Sequence, residues 1–93
     1  MKIELKKFGD MLISRPAGRE AYLALSAYNI RDLKSDEPIE IDFAGVKVLT
    51  PSWADEFVTK LAQRFSRVTL LNTDNSSVQA TLKILRQYSG VKL

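Results

Sequence analysis

The alternation of apolar and polar residues along the chain predicts strands and helices that follow one another. Met1 to Phe8 alternates apolar and charged side chains, and Met11 to Ile13 forms a second short apolar run. Gly9-Asp10 between them is typical of a two-residue turn. The two runs therefore predict a β-hairpin at the start of the chain.

The first helical stretch is predicted from Pro16 to about Leu33, with Ser14 as its N-cap. The polar segment Lys34 to Pro38 ends it, because the residue before a proline disfavours helix. Its apolar side chains form a broad stripe, which we expect to lie flat on a sheet: Ala21, Leu23, Leu25, Ala27, Tyr28 and Ile30.

Two further helices are predicted, each preceded by a strand. Ile39 to Phe43 and Arg67 to Asn72 are β-rich runs. The second helix starts at Thr50 or Ser52 and continues to about residue 66. The third helix has its N-cap within residues 74–76 and stops before residue 90. The side chains expected to face the core are Val78, Leu82, Leu85 and Tyr88.

The predicted order is therefore β-β-α-β-α-β-α, and the fold class is α/β, a small mixed β-sheet flanked by helices. Ninety-three residues suit one domain, which we expect to span residues 1–93. The chain contains no Cys and no His, so the usual metal ligands and the side chain best suited to proton transfer near pH 7 are absent. We expect a protein that is not an enzyme, with no catalytic residues, no metal site and no cofactor.

Charge and hydropathy narrow the range of partners. The chain contains fourteen Lys and Arg residues and eleven Asp and Glu residues, and the basic residues are spread along the chain rather than clustered. This distribution disfavours nucleic acid as a partner. No segment approaches the roughly 20 apolar residues of a membrane-spanning helix, and no disulfide framework exists. We expect a cytoplasmic protein that does not bind membranes.

The segment Thr50-Pro51-Ser52-Trp53 enters the second helix. Thr50 can be the N-cap, with Pro51 at the first helical position, which suits proline because its missing N–H needs no partner. Alternatively Ser52 is the cap and pairs with Asp55 three residues later. Either arrangement explains the segment as a helix start without any function.

Several residues near this helix start are also candidates for binding. Trp53 either packs partly against the sheet or is an exposed anchor for a partner. Asp55 and Glu56 carry charge within one turn, and Glu56 can pair with Lys60 on the side opposite the apolar face. Arg15, beside the hairpin, is able to pair with a carboxylate such as Asp55, although the sequence alone does not place the two together. Asp42 is expected to be a solvated or hydrogen-bonded loop carboxylate, not a catalytic one, at the end of a central strand.

Three segments together resemble the signature of the STAS-like domain family of unknown function. They are Ile41-Asp42-Phe43, Gly45-Val46 and Ser52-Trp53-Ala54-Asp55-Glu56, and Ile13-Ser14-Arg15 resembles an element that the family has before its first helix. The family is similar in shape to STAS domains, named for sulphate transporters and anti-sigma factor antagonists. The resemblance implies a small sheet flanked by helices.

The resemblance also suggests a role for Ser52. In bacterial anti-sigma factor antagonists of the STAS type, a Ser at this helix start is phosphorylated by a partner kinase, and the unmodified form binds that partner. Ser52 matches this position and is the candidate phospho-acceptor. Those antagonists carry Asp-Ser-Ser-Gly where this chain has Thr50-Pro51-Ser52-Trp53, which favours a contact surface over a phosphoryl acceptor.

Taken together, the sequence predicts a bacterial regulatory module that binds another protein, with a histidine-kinase-like ATPase or kinase as the implied partner. The expected contact residues are Thr50, Pro51, Trp53, Asp55 and Glu56, supported by Arg15 and Asp42. The alternative is a small-molecule or nucleotide-binding domain that uses the same helix N-terminus. A homo-oligomer is left open.

Overall fold

The computed structural model describes residues 1–93 and contains five short strands, a one-turn 3-10 helix at Leu5–Phe8 and three longer helical stretches. The strands are β1 Lys2–Glu4, β2 Met11–Leu12, β3 Ile39–Asp42, β4 Val48–Leu49 and β5 Val68–Leu71. The outer two helices are α1 Arg15–Tyr28 and α4 Ser76–Tyr88. The central helix, residues 51–64, is made of α2 Pro51–Ala54, a π-helical turn Asp55–Thr59 and α3 Lys60–Arg64.

Every strand pairing is parallel. β3 lies between β1 and β5 in a three-stranded sheet, while β2 and β4 form a separate pair. The predicted hairpin is therefore wrong, and the sheet is parallel rather than mixed. The reason is burial: Leu5 and Leu12, which flank the expected turn, are both core residues, and a parallel strand needs cover on both faces.

The observed order is β-β-α-β-β-α-β-α and differs from the predicted order by one strand, β4. This strand lies between the predicted strand at 39–43 and the helix start at Thr50. The Asp10 carbonyl accepts hydrogen bonds from the N–H groups of Lys47 and Val48, and the Leu12 carbonyl accepts one from Thr50. These bonds pair Val48–Leu49 with β2 and make this segment the strand β4.

Helix α1 begins as predicted, because the Ser14 side chain accepts a hydrogen bond from the Ala17 N–H at 3.2 Å. It ends at Tyr28 rather than near Leu33. The buried Ile30 turns away from the helical path, and its carbonyl accepts a hydrogen bond from Arg64 at 2.7 Å.

The apolar stripe of α1 is narrower than expected. The helix packs chiefly against the central helix and buries Gly18, Ala21 and Leu25. Three of the residues that we placed inward are instead exposed: Leu23, Ala27 and Tyr28. The contact with another helix needs only a narrow stripe, whereas a helix lying flat on a sheet would need a broad one.

Helix α4 begins after its N-cap Asn75, whose side chain accepts from the Val78 N–H at 3.1 Å, within the predicted range. It is held on β4 by side chains rather than by another strand. Ser77 Oγ accepts from the Leu49 N–H at 3.0 Å, and Thr81 donates to the Leu49 carbonyl at 2.6 Å. These two bonds hold the first half of α4 beside β4, while the buried Val78, Leu82 and Leu85 pack the helix onto the core.

Twenty buried apolar residues form one core cluster. It includes the strand residues Ile39 and Ile41, the helix residues Leu61 and Leu82, and Trp53 at the start of the central helix. None of the helices has the length and apolar character required to cross a membrane.

Candidate functional site

Thr50, not Ser52, caps the central helix. Its side-chain oxygen accepts a hydrogen bond from the Trp53 N–H at 3.3 Å, and Pro51 occupies the first helical position. The Thr50 hydroxyl in turn donates to the Ile13 carbonyl, and the Thr50 N–H donates to Leu12. Because Thr50 is fixed to β2 in this way, the Ser52 side chain is not used for capping, and that alternative is wrong.

Ser52 faces an open groove of about 260 Å³, which we call the corner groove. One wall is Arg15, Pro51, Ser52 and Asp55, at the starts of α1 and the central helix. The other wall is the end of α4, with Ile84, Leu85, Tyr88 and Ser89. The Ser52 side chain is half-buried and has no hydrogen-bond partner within the chain, so its hydroxyl is available to a molecule in the groove.

Trp53 is part of the core, which corrects the expectation of an exposed anchor. Its side chain is 2% exposed and stacks on Phe57 with ring centroids 4.9 Å apart. Phe8 covers the same pair, 6.3 Å from the Trp53 ring. Gly18 of α1 lies directly over the Trp53 backbone, where an added Cβ would meet the Trp53 carbonyl at 2.5 Å. The indole therefore secures the helix start instead of contacting a partner.

Arg15 joins the two acidic residues of the central helix. Arg15 Nη1 lies 3.0 Å from Asp55 Oδ2 and 2.8 Å from Glu56 Oε2, which confirms the expected pairing of Arg15 with Asp55. These hydrogen bonds, with Asp55 as the stronger cause, raise the pKa of Arg15. Asp55 remains partly exposed in the groove wall, so the ion pair between Arg15 and Asp55 is available for contact.

Glu56 is a buried structural carboxylate and is not a surface charge. The residue is 8% exposed and lies 3.0 Å from Lys60 and 3.4 Å from Arg19, in addition to Arg15. Hydrogen bonds from Lys60 and then Arg15 lower its pKa to about 2, although burial opposes this shift. The expected pair with Lys60 is present, but the prediction that Glu56 points away from the packed side is wrong.

Asp42 is also fully engaged. It accepts hydrogen bonds from Asn72 at 2.7 Å and from the Ala44 N–H at 2.9 Å, and Lys2 lies 3.3 Å away. The bond from Asn72, followed by that from Ala44, lowers its pKa. The residue is the last of β3, the middle strand, as predicted, and through Asn72 it ties the ends of β3 and β5 together. It does not line the corner groove.

The residues of α4 that line the groove were not identified from the sequence. Tyr88 was expected in the core, yet it is 83% exposed. Ile84, four residues earlier on the same side of α4, lines the groove with it. This i,i+4 spacing was the available signal, but Val78, Leu82 and Leu85 already account for a complete buried face.

No group of three or more His, Cys, Asp or Glu side chains is placed to hold a metal ion. The corner groove instead combines the unbonded Ser52 hydroxyl, the Arg15–Asp55 ion pair and an apolar surface to which Ile84, Leu85 and Tyr88 contribute. Such a set can bind by hydrogen bonds, charge and apolar contact.

The fold defines a small α/β protein built on a parallel sheet, and the site at its helix start is a groove. The chain belongs to the family described as STAS-like domain of unknown function (DUF4325), whose sequence model matches residues 28–78, more than half of the chain. The predicted resemblance is thereby confirmed over the strand and helix-start segments. Ile13-Ser14-Arg15 precedes the matched residues and stays a prediction. No curated protein and no solved structure matches the chain significantly.

Proposed function

We propose that this chain is a non-enzymatic regulatory module that binds another protein through the corner groove. The observation that carries the proposal is the groove itself, which brings the unbonded Ser52 hydroxyl next to the Arg15–Asp55 ion pair and an apolar wall. Exposed aromatic and aliphatic side chains beside hydrogen-bonding groups are typical of contact centres in protein interfaces.

The two walls of the groove would contribute differently to binding. Ile84 and Tyr88 are partly or largely exposed and present the apolar surface that we first expected from Trp53. Arg15 uses only Nη1 for its two carboxylate bonds, so its other guanidinium nitrogens remain free to donate. Affinity would come mainly from the apolar side chains, and selectivity from the ion pair.

The family resemblance suggests the class of partner. We propose a cytoplasmic histidine-kinase-like ATPase or kinase, as for the anti-sigma factor antagonists. The contact would involve Thr50 and Pro51 as the rigid helix entry and Asp55 as the exposed charge. Glu56 would act indirectly by holding Arg15 in position.

The binding proposal predicts a difference between two tyrosines with nearly equal exposure. Tyr88 lines the corner groove and Tyr28 lies on the outer side of α1, and their exposed fractions are 83% and 85%. Tyr88→Ala should weaken the complex with the cognate partner at least about tenfold, as expected for a contact residue worth more than about 1.4 kcal/mol. Tyr28→Ala should leave it unchanged.

The partner can be identified by placing a photo-reactive amino acid at position 88 in the native host and analysing the adducts by mass spectrometry. The same residue at Gln79, which is exposed on α4 but lies outside the groove, is the control. Affinities of the two tyrosine variants for the purified partner then follow by calorimetry. Equal losses for Tyr28→Ala and Tyr88→Ala would contradict a contact at the groove.

Phosphorylation of Ser52 is a second, subordinate proposal. The hydroxyl is half-buried and faces open space, and a phosphate there would lie near both Arg15 and Asp55. Arg15 would attract it and Asp55 would repel it, so the modification would compete for the Arg15–Asp55 ion pair and alter the groove. Incubation with the cognate kinase and mass spectrometry test this, and a Ser52 that stays unmodified rules it out.

The alternative, a nucleotide or small-molecule site, has the free donors of Arg15 and Ser52 in its favour. The helix start supplies few others, because Pro51 has no N–H and those of Trp53 and Ala54 already bond to Thr50. A true ligand at a hundredfold excess over its dissociation constant would stabilise the protein by about 2.7 kcal/mol. A nucleotide screen with no thermal shift would count against this alternative.

A further inference from the structure

The outer face of α1 is apolar to a degree that is unusual for a helix surface in contact with water. Leu23 is 58% exposed and Tyr28 is 85% exposed. Six exposed residues of α1 share this side of the helix, and Glu20 is the only charged residue among them: Ala17, Glu20, Leu23, Ala24, Ala27 and Tyr28. Arg19 is exposed too, but it lies on the neighbouring side, 3.4 Å from Glu56. We call these six residues the α1 outer face. Solvent-facing sides of helices normally carry several charged residues.

Helix α4 provides the contrast within the same chain. Its exposed positions include Lys83, Arg86, Gln79 and Gln87, as expected for a face in water. The α1 outer face explains why the sequence predicted a broad buried stripe on α1. That helix has two apolar sides, and only the one with Gly18, Ala21 and Leu25 is covered within the chain.

We infer that the α1 outer face is covered by α1 of a second copy of this chain, packed antiparallel about a two-fold axis at Ala24. In this arrangement Glu20 lies opposite Tyr28 of the other copy, because both are four residues from the axis. The only carboxylate of the face then meets its only hydroxyl donor, and the bond occurs twice by symmetry. The face is thus complementary to itself.

The residue sizes fit the same axis. Ala24 at the crossing point lets the two helices approach closely, and small residues are favoured wherever helix backbones come near each other. Leu23 lies next to the axis and would meet Leu23 of the second copy.

The small area of the α1 outer face determines how tightly we expect the two copies to associate. A helix of 14 residues is about 21 Å long, so this contact alone falls below the standard size of a stable protein interface. We therefore expect a reversible dimer with a dissociation constant on the order of 100 µM. This inference is independent of the proposed function, because none of the six residues lines the corner groove.

The first test is the mass of the purified protein as a function of concentration, by analytical ultracentrifugation. From about 10 µM to about 1 mM, a range that brackets the expected constant, the average mass should rise from 10.5 kDa towards twice that value. Ala24→Glu should weaken the association at least about tenfold, because two carboxylates would face each other at the axis. Ala80→Glu, the same change at an exposed alanine of α4, should have no effect.

The second test locates the axis. The chain has no Cys, so Ala24→Cys introduces a single thiol. A disulfide needs Cα atoms about 4.4 to 6.8 Å apart, which two copies of residue 24 can reach only if both lie near the axis. Mild oxidation should convert this variant to a covalent dimer at least about tenfold faster than Ala80→Cys, by the ratio expected for a populated complex over random collision.

Three results would overturn the inference. They are a constant mass of 10.5 kDa at the highest concentration, equal self-association of the Ala24→Glu and Ala80→Glu variants, and equal oxidation rates of the two thiol variants. Binding of a monomer to anionic lipid vesicles through α1 would assign the face to a lipid surface instead. The two tyrosines separate the proposals: Tyr28→Ala should weaken only the dimer and Tyr88→Ala only the partner complex.

Discussion

Gly18 sets the distance between α1 and the central helix. Any other residue would bring a Cβ to 2.5 Å from the Trp53 carbonyl oxygen and 3.0 Å from the Trp53 Cα. Both are backbone atoms, which cannot rotate away as a side chain can. The burial of Trp53 and the reach of Arg15 to Asp55 both depend on this close approach.

The variant Gly18→Ala distinguishes packing from helix propensity by the sign of its effect. Propensity alone would stabilise the helix by about 1 kcal/mol. Overpacking against a fixed backbone costs about 1 to 3 kcal/mol, so we expect a net loss of stability. Thermal unfolding followed by Trp53 fluorescence measures the difference, and a raised melting temperature would contradict the close contact.

Glu56 makes the free energy of unfolding depend on pH in the acidic range. The folded state holds the pKa of Glu56 at about 2, below its ordinary 4.5, so the unfolded chain takes up the proton first as the pH falls. The stabilisation is complete above pH 4.5 and is lost as the pH falls to about 2. At neutral pH, Glu56→Gln should destabilise the protein by about 2 kcal/mol, because the hydrogen bonds from three cations lose their charged acceptor.

Urea unfolding at about pH 6 and about pH 3, on either side of the ordinary carboxyl value, tests this assignment. The wild type should lose more stability between the two conditions than Glu56→Gln does. Glu4→Gln serves as the control, because Glu4 is exposed and forms no ion pair. If both variants keep the full acid dependence of the wild type, Glu56 is not its source.

At the scale of elements, α4 completes the edge of β4. Ser77 both accepts from the Leu49 N–H and donates to the Leu49 carbonyl, as a neighbouring strand would. Thr81 adds a second donor to that carbonyl. These side-chain bonds and the buried Val78, Leu82 and Leu85 together position α4, and therefore the groove wall with Tyr88.

Ser77→Ala should destabilise the protein by about 1 to 3 kcal/mol, because the partly buried Leu49 N–H loses its acceptor. Ser76→Ala, at the exposed neighbouring position, is the matched control and should be close to neutral. Chemical denaturation of both variants measures the difference. Equal small effects would mean that the apolar contacts of α4 alone hold it in place.

Local chemistry made several elements predictable. The caps Ser14, Thr50 and Asn75 each bond to an N–H three residues later, so a short sequence window contains both partners. The strand at 39–42 follows from the alternation of apolar and charged residues. The sequence did not show which side of α1 and α4 is buried, because each helix carries apolar residues on more than one side. The buried side is then decided by packing against elements that are distant in the chain.

At the scale of the whole molecule, the single core cluster predicts one cooperative unfolding transition. Trp53 fluorescence reports on the core, and far-ultraviolet circular dichroism reports on the helices. The two signals should give the same midpoint in urea. Separate midpoints would show that α4 or the N-terminal strands unfold as an independent unit.

Strand pairing could not be predicted from the sequence, because the partners are far apart in the chain. Gly9-Asp10 has the residues of a hairpin turn, yet β1 pairs with β3 and β2 with β4. A turn signal reports local backbone preference only. The alternative pairing is favoured by burial of Leu5 and Leu12 in a core assembled from all parts of the chain.

The parallel pairings also have a consequence during synthesis. Lys2 of β1 lies beside Glu40 of β3, so the first strand has no partner until 38 more residues have been added. At about 5 to 20 residues per second, this takes roughly 2 to 8 s. For that time the apolar side chains of the nascent N-terminus remain accessible to the ribosome surface and to chaperones, whereas a hairpin would have hidden part of them almost at once.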